Sequence, residues 1–368
     1  MRGVLQILPA GHGFLRSAAS DYNPEPTDPR VPRDLIEKHG LETGLEVEGM
    51  AVPSPHPSQA PWLAEVQRLN GLEPEVWARR VPFKNLTAED PTERIRLEVE
   101  ASDLSTRVVD LIAPIGKGQR CLIVAPPKAG KTVLLQKLAR SITTNHPEIH
   151  LIVLLVDERP EEVTDMRRSI RGEVIASSSD ELARQHVQVA EIVLERAKRL
   201  VENGRDVVVL LDSITRLSRA YNNEQRGSGR VLSGGIDART MEKPRRFFGA
   251  ARKVSGAPGS LTVIGTALVD TGSRMDEVIF QEFKGTGNTE IVMDRAMFER
   301  RIFPAIDISQ TGTRKEEKLY ETREYQQVTL LRRALASLRA AEAMQLLVER
   351  LGKTQSNKQF LETMLQSV

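Results

Sequence analysis

One eight-residue stretch constrains this chain more than any other: Ala125-Pro126-Pro127-Lys128-Ala129-Gly130-Lys131-Thr132. It follows the apolar run Leu122-Ile123-Val124 and precedes Val133-Leu134-Leu135-Gln136-Lys137-Leu138, whose apolar positions suit a helix packed on a sheet. Strand, tight loop and helix in that order are the context a phosphate-binding loop needs, because the loop amides and the helix N-terminus then converge on a polyphosphate. Pro127, Lys128, Ala129, Gly130, Lys131, Thr132 and Val133 are the candidate nucleotide cradle. Lys131 is expected to reach the β/γ-phosphates and the Thr132 hydroxyl to ligate Mg²⁺. Ala125 stands where the plain pattern has glycine.

Three further pieces suit such a loop. Val207-Val208-Val209-Leu210-Leu211-Asp212 is a buried strand ending in a carboxylate, the placement of the acid that holds Mg²⁺, usually through water. Leu151–Val156 runs into Asp157-Glu158-Arg159, and a carboxylate at the end of a parallel strand faces the ligand crevice. Glu158 is the candidate to polarise the attacking water, Asp157 a partner behind it, and Glu161 and Glu162 read as a solvated helix start. Arg314, in Thr311-Gly312-Thr313-Arg314-Lys315, reads either as a solvated loop residue or as an arginine finger worth about 10³–10⁵ in rate.

The rest of the chain is organised around this core. Its 368 residues allow two or three domains. Residues 1–80 read as a small β-rich unit, with strands at Val4–Leu8, Gly13–Arg16 and Leu45–Val52, a short helix at Asp34–Lys38 and a Pro-rich connector at 52–57. Residues 81–104 read as a polar linker. From 105 to 368 apolar runs alternate with helix-length segments, Val189–Val201 the clearest, which implies an α/β parallel sheet covered on both faces and ending in helices. Residues 1–100 carry 16 acids and 11 bases, about −5, so the remainder carries about +7 to reach the net +2. Any basic surface therefore belongs to the larger C-terminal part. Cys121 is the single cysteine, compatible with a reducing cytoplasm, and no apolar run approaches a membrane span.

Long runs then carry a family resemblance: Pro114-Ile115-Gly116-Lys117-Gly118-Gln119-Arg120, the loop with its Ala125, Asp157 through Val163, Leu211 through Arg216, Lys284-Gly285-Thr286-Gly287-Asn288, Phe303-Pro304-Ala305-Ile306-Asp307 and Gly312 through Glu317. With these the chain resembles the bacterial transcription termination factor Rho family, strongly from about residue 105 and more weakly from Gly3. The resemblance implies a RecA-like P-loop ATPase domain preceded by a small β-barrel of OB type. It implies a homohexameric, RNA-dependent ATPase and 5′→3′ RNA translocase/helicase in the bacterial cytoplasm. Single-stranded RNA, RNA polymerase and Nus-type factors are the implied partners, and no membrane. Arg314 matches the finger supplied to the neighbouring subunit's ATP, and Arg301 and Lys284 match the same interface. Phe303 matches the aromatic packed on adenine, although alone it reads as core, and Arg159 becomes a catalytic and nucleotide-binding candidate. Asp157, Arg159 and Ser213 fall near the pocket of bicyclomycin, which targets the family.

The implied RNA contacts form two groups. One pore loop matches 229–235 with Arg230, Val231, Ser233 and Gly234; another matches Asp270–Arg274, where Arg274 stands in place of the family's usual lysine. In the OB unit, Leu8, Phe14 and Arg16 match the primary RNA site, while His12 and Arg30 stand where aromatics are common. Phe14 reads either as a stacking platform or as barrel core. The family's small preceding helical domain is not in this sequence. Two other classes share parts of the pattern: a rotary or export-system ATPase, which RNA should not stimulate, and an RNA-binding protein that holds ATP only structurally.

Overall fold

The computed structural model of the chain describes residues 1–54, 60–224, 235–237 and 239–365. At the N-terminus β1 (Arg2–Ile7), β2 (Gly13–Arg16), β3 (Arg30–Val31), β4 (Glu46–Val52) and β5 (Trp62–Leu69) close into a barrel in the order β1-β2-β3-β5-β4. Alternation sets its inside: Leu5, Leu15, Val31, Val47, Leu63 and Leu69 point into one small core, closed by α1 (Arg33–His39) and by Trp77 of α2 (Pro74–Trp77). Gly49 sits where the β4–β5 register slips, and a Cβ there would lie 2.0 Å from the Glu65 carbonyl oxygen. The strand at Val4–Leu8 is displaced to Arg2–Ile7, because Leu8 turns back to donate to the His12 carbonyl at 2.9 Å.

The segment after the barrel is docked rather than loose. It buries Phe83, Ile95 and Leu97 and contributes two short strands, β6 (Ala88–Glu89) and β7 (Arg94–Ile95). Next come α3 (Leu104–Ile112) and β8 (Ile115–Gly116), which pairs with β7.

The second sheet follows: β9 (Arg120–Ala125), α4 (Lys131–Asn145), β10 (His150–Glu158), α5 (Pro160–Ser169), β11 (Glu173–Ser178), α6 (Ala183–Glu202), β12 (Asp206–Asp212) and α7 (Ile214–Glu224). Then come α8 (Glu242–Gly249), β13 (Arg252–Val254), β14 (Ser260–Leu268), α9 (Arg274–Phe283), β15 (Thr289–Val292), α10 (Arg295–Glu299) and β16 (Gly312–Thr313). The strand order is β11-β10-β12-β14-β9-β15-β16, parallel as far as β15, with β13 and β6 attached beside β14. The inner strands are buried along almost their whole length because both faces are covered, and β14 carries Ser260, Thr262 and Thr266 among its apolar residues. On β9, Cys121 and Ile123 face α4 and the C-terminal helices, whereas Leu122 and Val124 face the layer of α6 to α9. The chain ends in α11 (Thr322–Leu335), α12 (Ala340–Leu351) and α13 (Asn357–Leu365). Among the described residues no helix is long and apolar enough to cross a membrane.

Barrel and sheet meet through α6 and β11. Gly44, at φ +87°, lets the barrel backbone rest on α6: a Cβ there would lie 2.3 Å from the Arg196 amide nitrogen. The Tyr22 hydroxyl donates to Glu173, Asn70 Nδ2 donates to the Arg199 carbonyl at 3.0 Å, and Arg196 reaches Glu46 at 3.2 Å.

Candidate active site and nucleic-acid interface

The loop after β9 turns through Lys128 at φ 63° and Gly130 at φ 89° before α4 begins. Gly130 is needed for that backbone and for space, since a Cβ would lie 3.2 Å from the Phe298 ring. No side chain caps α4, so its first amides are open to an anion. Lys131 Nζ donates to Asp212 Oδ1 and Oδ2 and to Glu158 Oε1 at 3.2 Å. Both carboxylates stand at the C-terminal ends of parallel strands and are almost fully buried. The β10–β11 register slips between Val156 and Glu158, with Asp157 at φ 56°, and this bulge aims Glu158 at the loop. Thr266 on β14 donates to Asp212 at 2.7 Å and fixes its orientation.

Charge and burial compete here. Burial raises the Glu158 carboxyl above its usual range and neighbouring Asp212 raises it further, against Lys131 and Arg216. For Lys131 burial works downward, but Asp212 and Glu158 outweigh it and hold the ammonium above its ordinary value. Arg216 pairs with Asp157 at 3.2 Å and lies 3.5 Å from Glu158. Thr132 Oγ1 donates to Glu162 at 3.4 Å, so Glu162 faces the loop hydroxyl rather than only solvent, while Glu161 is exposed. Arg159 is the exposed N-cap of α5, and Ser213 is buried at the start of α7.

Beside the loop lies an apolar cavity of about 390 Å³, lined by Gly130, Val133, Met293, Phe298, Phe303 and Pro304 among others. Phe303 is 46% exposed and meets Phe298 edge-on at 5.3 Å. It is therefore an open wall and not core.

Arg314 lies elsewhere. β16 pairs with the first residues of β15, Thr289 and Glu290, and these align with Cys121 and Leu122 of β9. The phosphate loop leaves β9 at the other end, after Ala125. At about 3.3 Å per residue, Arg314 is on the order of 10–15 Å or more from the loop of its own chain. Its side chain, like those of Arg301 and Lys284, is exposed.

On the barrel, one stripe of side chains crosses adjacent strands: Gln6 pairs with Phe14, Phe14 with Arg30, and Arg30 with Trp62. Leu15 and Leu63 take the inside positions, so Phe14 and Trp62 are on the outer face, half-buried. Arg16 lies over the Phe14 ring at 5.0 Å, His12 meets it edge-on at 5.6 Å, and Arg30 covers Trp62 at 4.9 Å. Arg16 is buried in a 2.5 Å pair with Asp28 and donates to Gln6 at 2.7 Å, so it braces Phe14 rather than standing free for phosphate. Leu8 is half-buried at the end of the same strand pair. Arg274 is exposed at the first turn of α9. Arg230, Val231, Ser233 and Gly234 lie outside the described residues.

Sequence reasoning missed Trp62, because the run it heads, Trp62–Leu69, does not alternate and its register is broken by two irregularities. It also gave no role to Arg216, and nothing in the sequence marked Thr266 as the partner of Asp212.

A parallel sheet with this loop and paired carboxylates, joined to a five-stranded barrel with an aromatic outer stripe, defines a RecA-like P-loop nucleotide-binding protein with an OB-type domain. Residues 105–312 match the ATP synthase alpha/beta family nucleotide-binding domain, and residues 1–75 match the Rho termination factor RNA-binding domain. Transcription termination factor Rho of Cereibacter sphaeroides is 53% identical over 98% of this chain and 86% of its own length. Those of Aquifex aeolicus and Haemophilus influenzae are also 53% identical, over 99% of this chain and 84% and 87% of theirs. The chain belongs to the transcription termination factor Rho family. Solved structures of a type III secretion ATPase of pathogenic bacteria (TM-score 0.65, 21% identity, 83% of this chain and 91% of that one) and of the assembled ATPase EscN from enteropathogenic E. coli (0.62, 19%, 84% and 79%) share the fold.

Proposed function

We propose that this chain is an RNA-dependent ATPase and 5′→3′ RNA translocase/helicase that acts in transcription termination, releasing nascent RNA from RNA polymerase. The observation that carries the reading is the separation of Arg314 from the phosphate loop of its own chain, on a molecule that also bears a single-strand platform. A finger at the far end of the sheet serves a neighbour's nucleotide, so the active form is a ring, a homohexamer as in the family resemblance. Nus-type factors and a bacterial cytoplasmic location belong to the same reading, as does the division into an OB-type domain (1–80), a connecting segment (81–104) and a motor (105–368).

The chemistry follows from the residues in place. The loop amides and the α4 N-terminus bind the phosphates, and the Phe303 wall packs the adenine. Lys131 exchanges Asp212 for phosphate oxygens, which releases the carboxylate. The Thr132 hydroxyl and Asp212 form a hard-oxygen donor set that suits Mg²⁺, which when bound neutralises phosphate charge. Glu158, a buried carboxylate at the strand end beside the phosphate loop, orients the attacking water and takes its proton. Arg159 at the α5 N-cap and Arg314 of the adjacent copy meet the transferring phosphoryl group.

ATP hydrolysis measured without RNA, with poly(C) and with other homopolymers tests this. Strong stimulation by poly(C) is expected. Stimulation by another polymer would place a change of preference at His12 and Arg30. RNA-independent turnover would favour an export or rotary ATPase and overturn the reading.

A further inference from the structure

The docked segment between barrel and motor touches the loop that carries Arg314. Asp90 Oδ2 accepts from Lys315 Nζ at 2.8 Å and from Lys318 Nζ at 2.7 Å. These lysines bracket the short 3₁₀ turn Glu316–Lys318 that begins next to Arg314, and Lys315 caps it in a left-handed conformation, φ 56°. A non-glycine residue persists there only when its surroundings hold it. Asp90 is itself anchored on both sides. Before it, Glu89 and Ala88 pair with Lys253 and Val254. After it, Lys253 Nζ donates to Thr92 Oγ1 at 2.7 Å and to Glu93 Oε1 at 2.9 Å.

The geometry also concerns what Arg314 avoids. A cavity of about 210 Å³ is lined by Asp90, Arg120, Thr286, Arg314 and Lys315 among others. Asp90 is the one carboxylate among the described lining residues. Burial lowers the basicity of Arg120; Asp90 opposes this and the nearby charge of Arg314 adds to it. Arg120 Nε is committed to the Thr286 carbonyl at 3.0 Å. Arg314 enters no ion pair among the described residues: Glu290 and Glu316 line a neighbouring cavity with it without pairing to it, and the one carboxylate of this cavity is held by the two lysines.

We propose that Asp90 is a positioning residue for the arginine finger: by holding Lys315 and Lys318 it fixes the loop that presents Arg314 and leaves that guanidinium uncommitted. This rests on the reading of Arg314 as a finger serving a neighbouring subunit. Partly exposed ion pairs contribute little to folding, whereas a misplacement of about 1 Å at a reacting centre can cost about 10²-fold in rate.

The test uses the full chain assembled with RNA. Asp90→Ala and Asp90→Asn should lower kcat for ATP about 10- to 100-fold, with KM for ATP, RNA affinity and melting temperature unchanged, and Asp90→Glu should recover part of the loss. Mixed rings separate this from its premise. Lys131→Ala subunits have no working phosphate loop but an intact finger. Mixed before assembly with Arg314→Ala subunits, they should regain turnover, and mixed with Asp90→Ala subunits they should regain it in the same way. Recovery with Arg314→Ala but not with Asp90→Ala overturns the role of Asp90 alone. So does wild-type kcat in Asp90→Ala, or a loss that tracks a lowered melting temperature. Failure of the Arg314→Ala mixture overturns the finger reading itself, and the proposal with it.

Discussion

Lys131 Nζ donates to both carboxylate oxygens of Asp212, at 2.5 and 2.7 Å. The lysine that would hold phosphate and the carboxylate that would hold Mg²⁺ are thus each other's partner, and a nucleotide has to part them. Lys131→Ala leaves Glu158 and Asp212 as buried carboxylates without their shared cation. Breaking a buried pair costs about 3–5 kcal/mol. The variant should lose ATP binding in equilibrium titration and unfold at lower denaturant.

Glu158→Gln keeps the shape of the side chain and removes its capacity to take a proton. ATP binding should persist while single-turnover hydrolysis falls about 10²–10⁴-fold. Unchanged hydrolysis would transfer the role to another group.

Glu173 sits at the seam between barrel and motor. Burial would raise its carboxyl, but His150, Arg196 and Tyr22 outweigh that and hold it at about 2. A depressed carboxylate contributes stability that is fully present above its unfolded value near 4.5 and is lost as pH falls toward 2. The contribution is on the order of 3 kcal/mol. Denaturation curves between pH 7 and 3 should show the wild type losing stability below about pH 4.5, with a smaller loss in that window for Glu173→Gln.

Phe14 and Trp62 form the aromatic part of the barrel stripe. Each Ala substitution should weaken single-stranded RNA binding by about 1–3 kcal/mol, with the melting temperature little changed because neither ring is in the barrel core. Wild-type RNA affinity in both variants would argue against the stripe as the contact face.

Local sequence carried the chemistry that depends on strand ends and tight turns. Lys131, Glu158 and Asp212 could be read because a loop and two apolar runs ending in acids converge wherever parallel strands lie side by side. It did not carry what depends on cross-strand register. Thr266 reaches Asp212 only because β14 lies beside β12, and Trp62 joins Phe14 only through Arg30 on a two-residue strand. Arg16 entered as an RNA-contact candidate only through the family resemblance, and its pairing with Asp28, brought near by a long loop, could not be read from the sequence. The segment 81–104 looked polar since its apolar residues are interspersed with charged and polar ones, yet three of them, Phe83, Ile95 and Leu97, are buried.

Gly44 leaves no room for even a methyl group between the barrel and the backbone of α6. A contact that close, flanked by the Tyr22–Glu173 and Arg196–Glu46 bonds, makes the barrel a fixed guide rather than a swinging arm. In a ring of such subunits, the spacing and tilt of successive barrels would be dictated by the motors beneath them. A transcript threaded across those barrels would feel changes in the ring as changes in its own path.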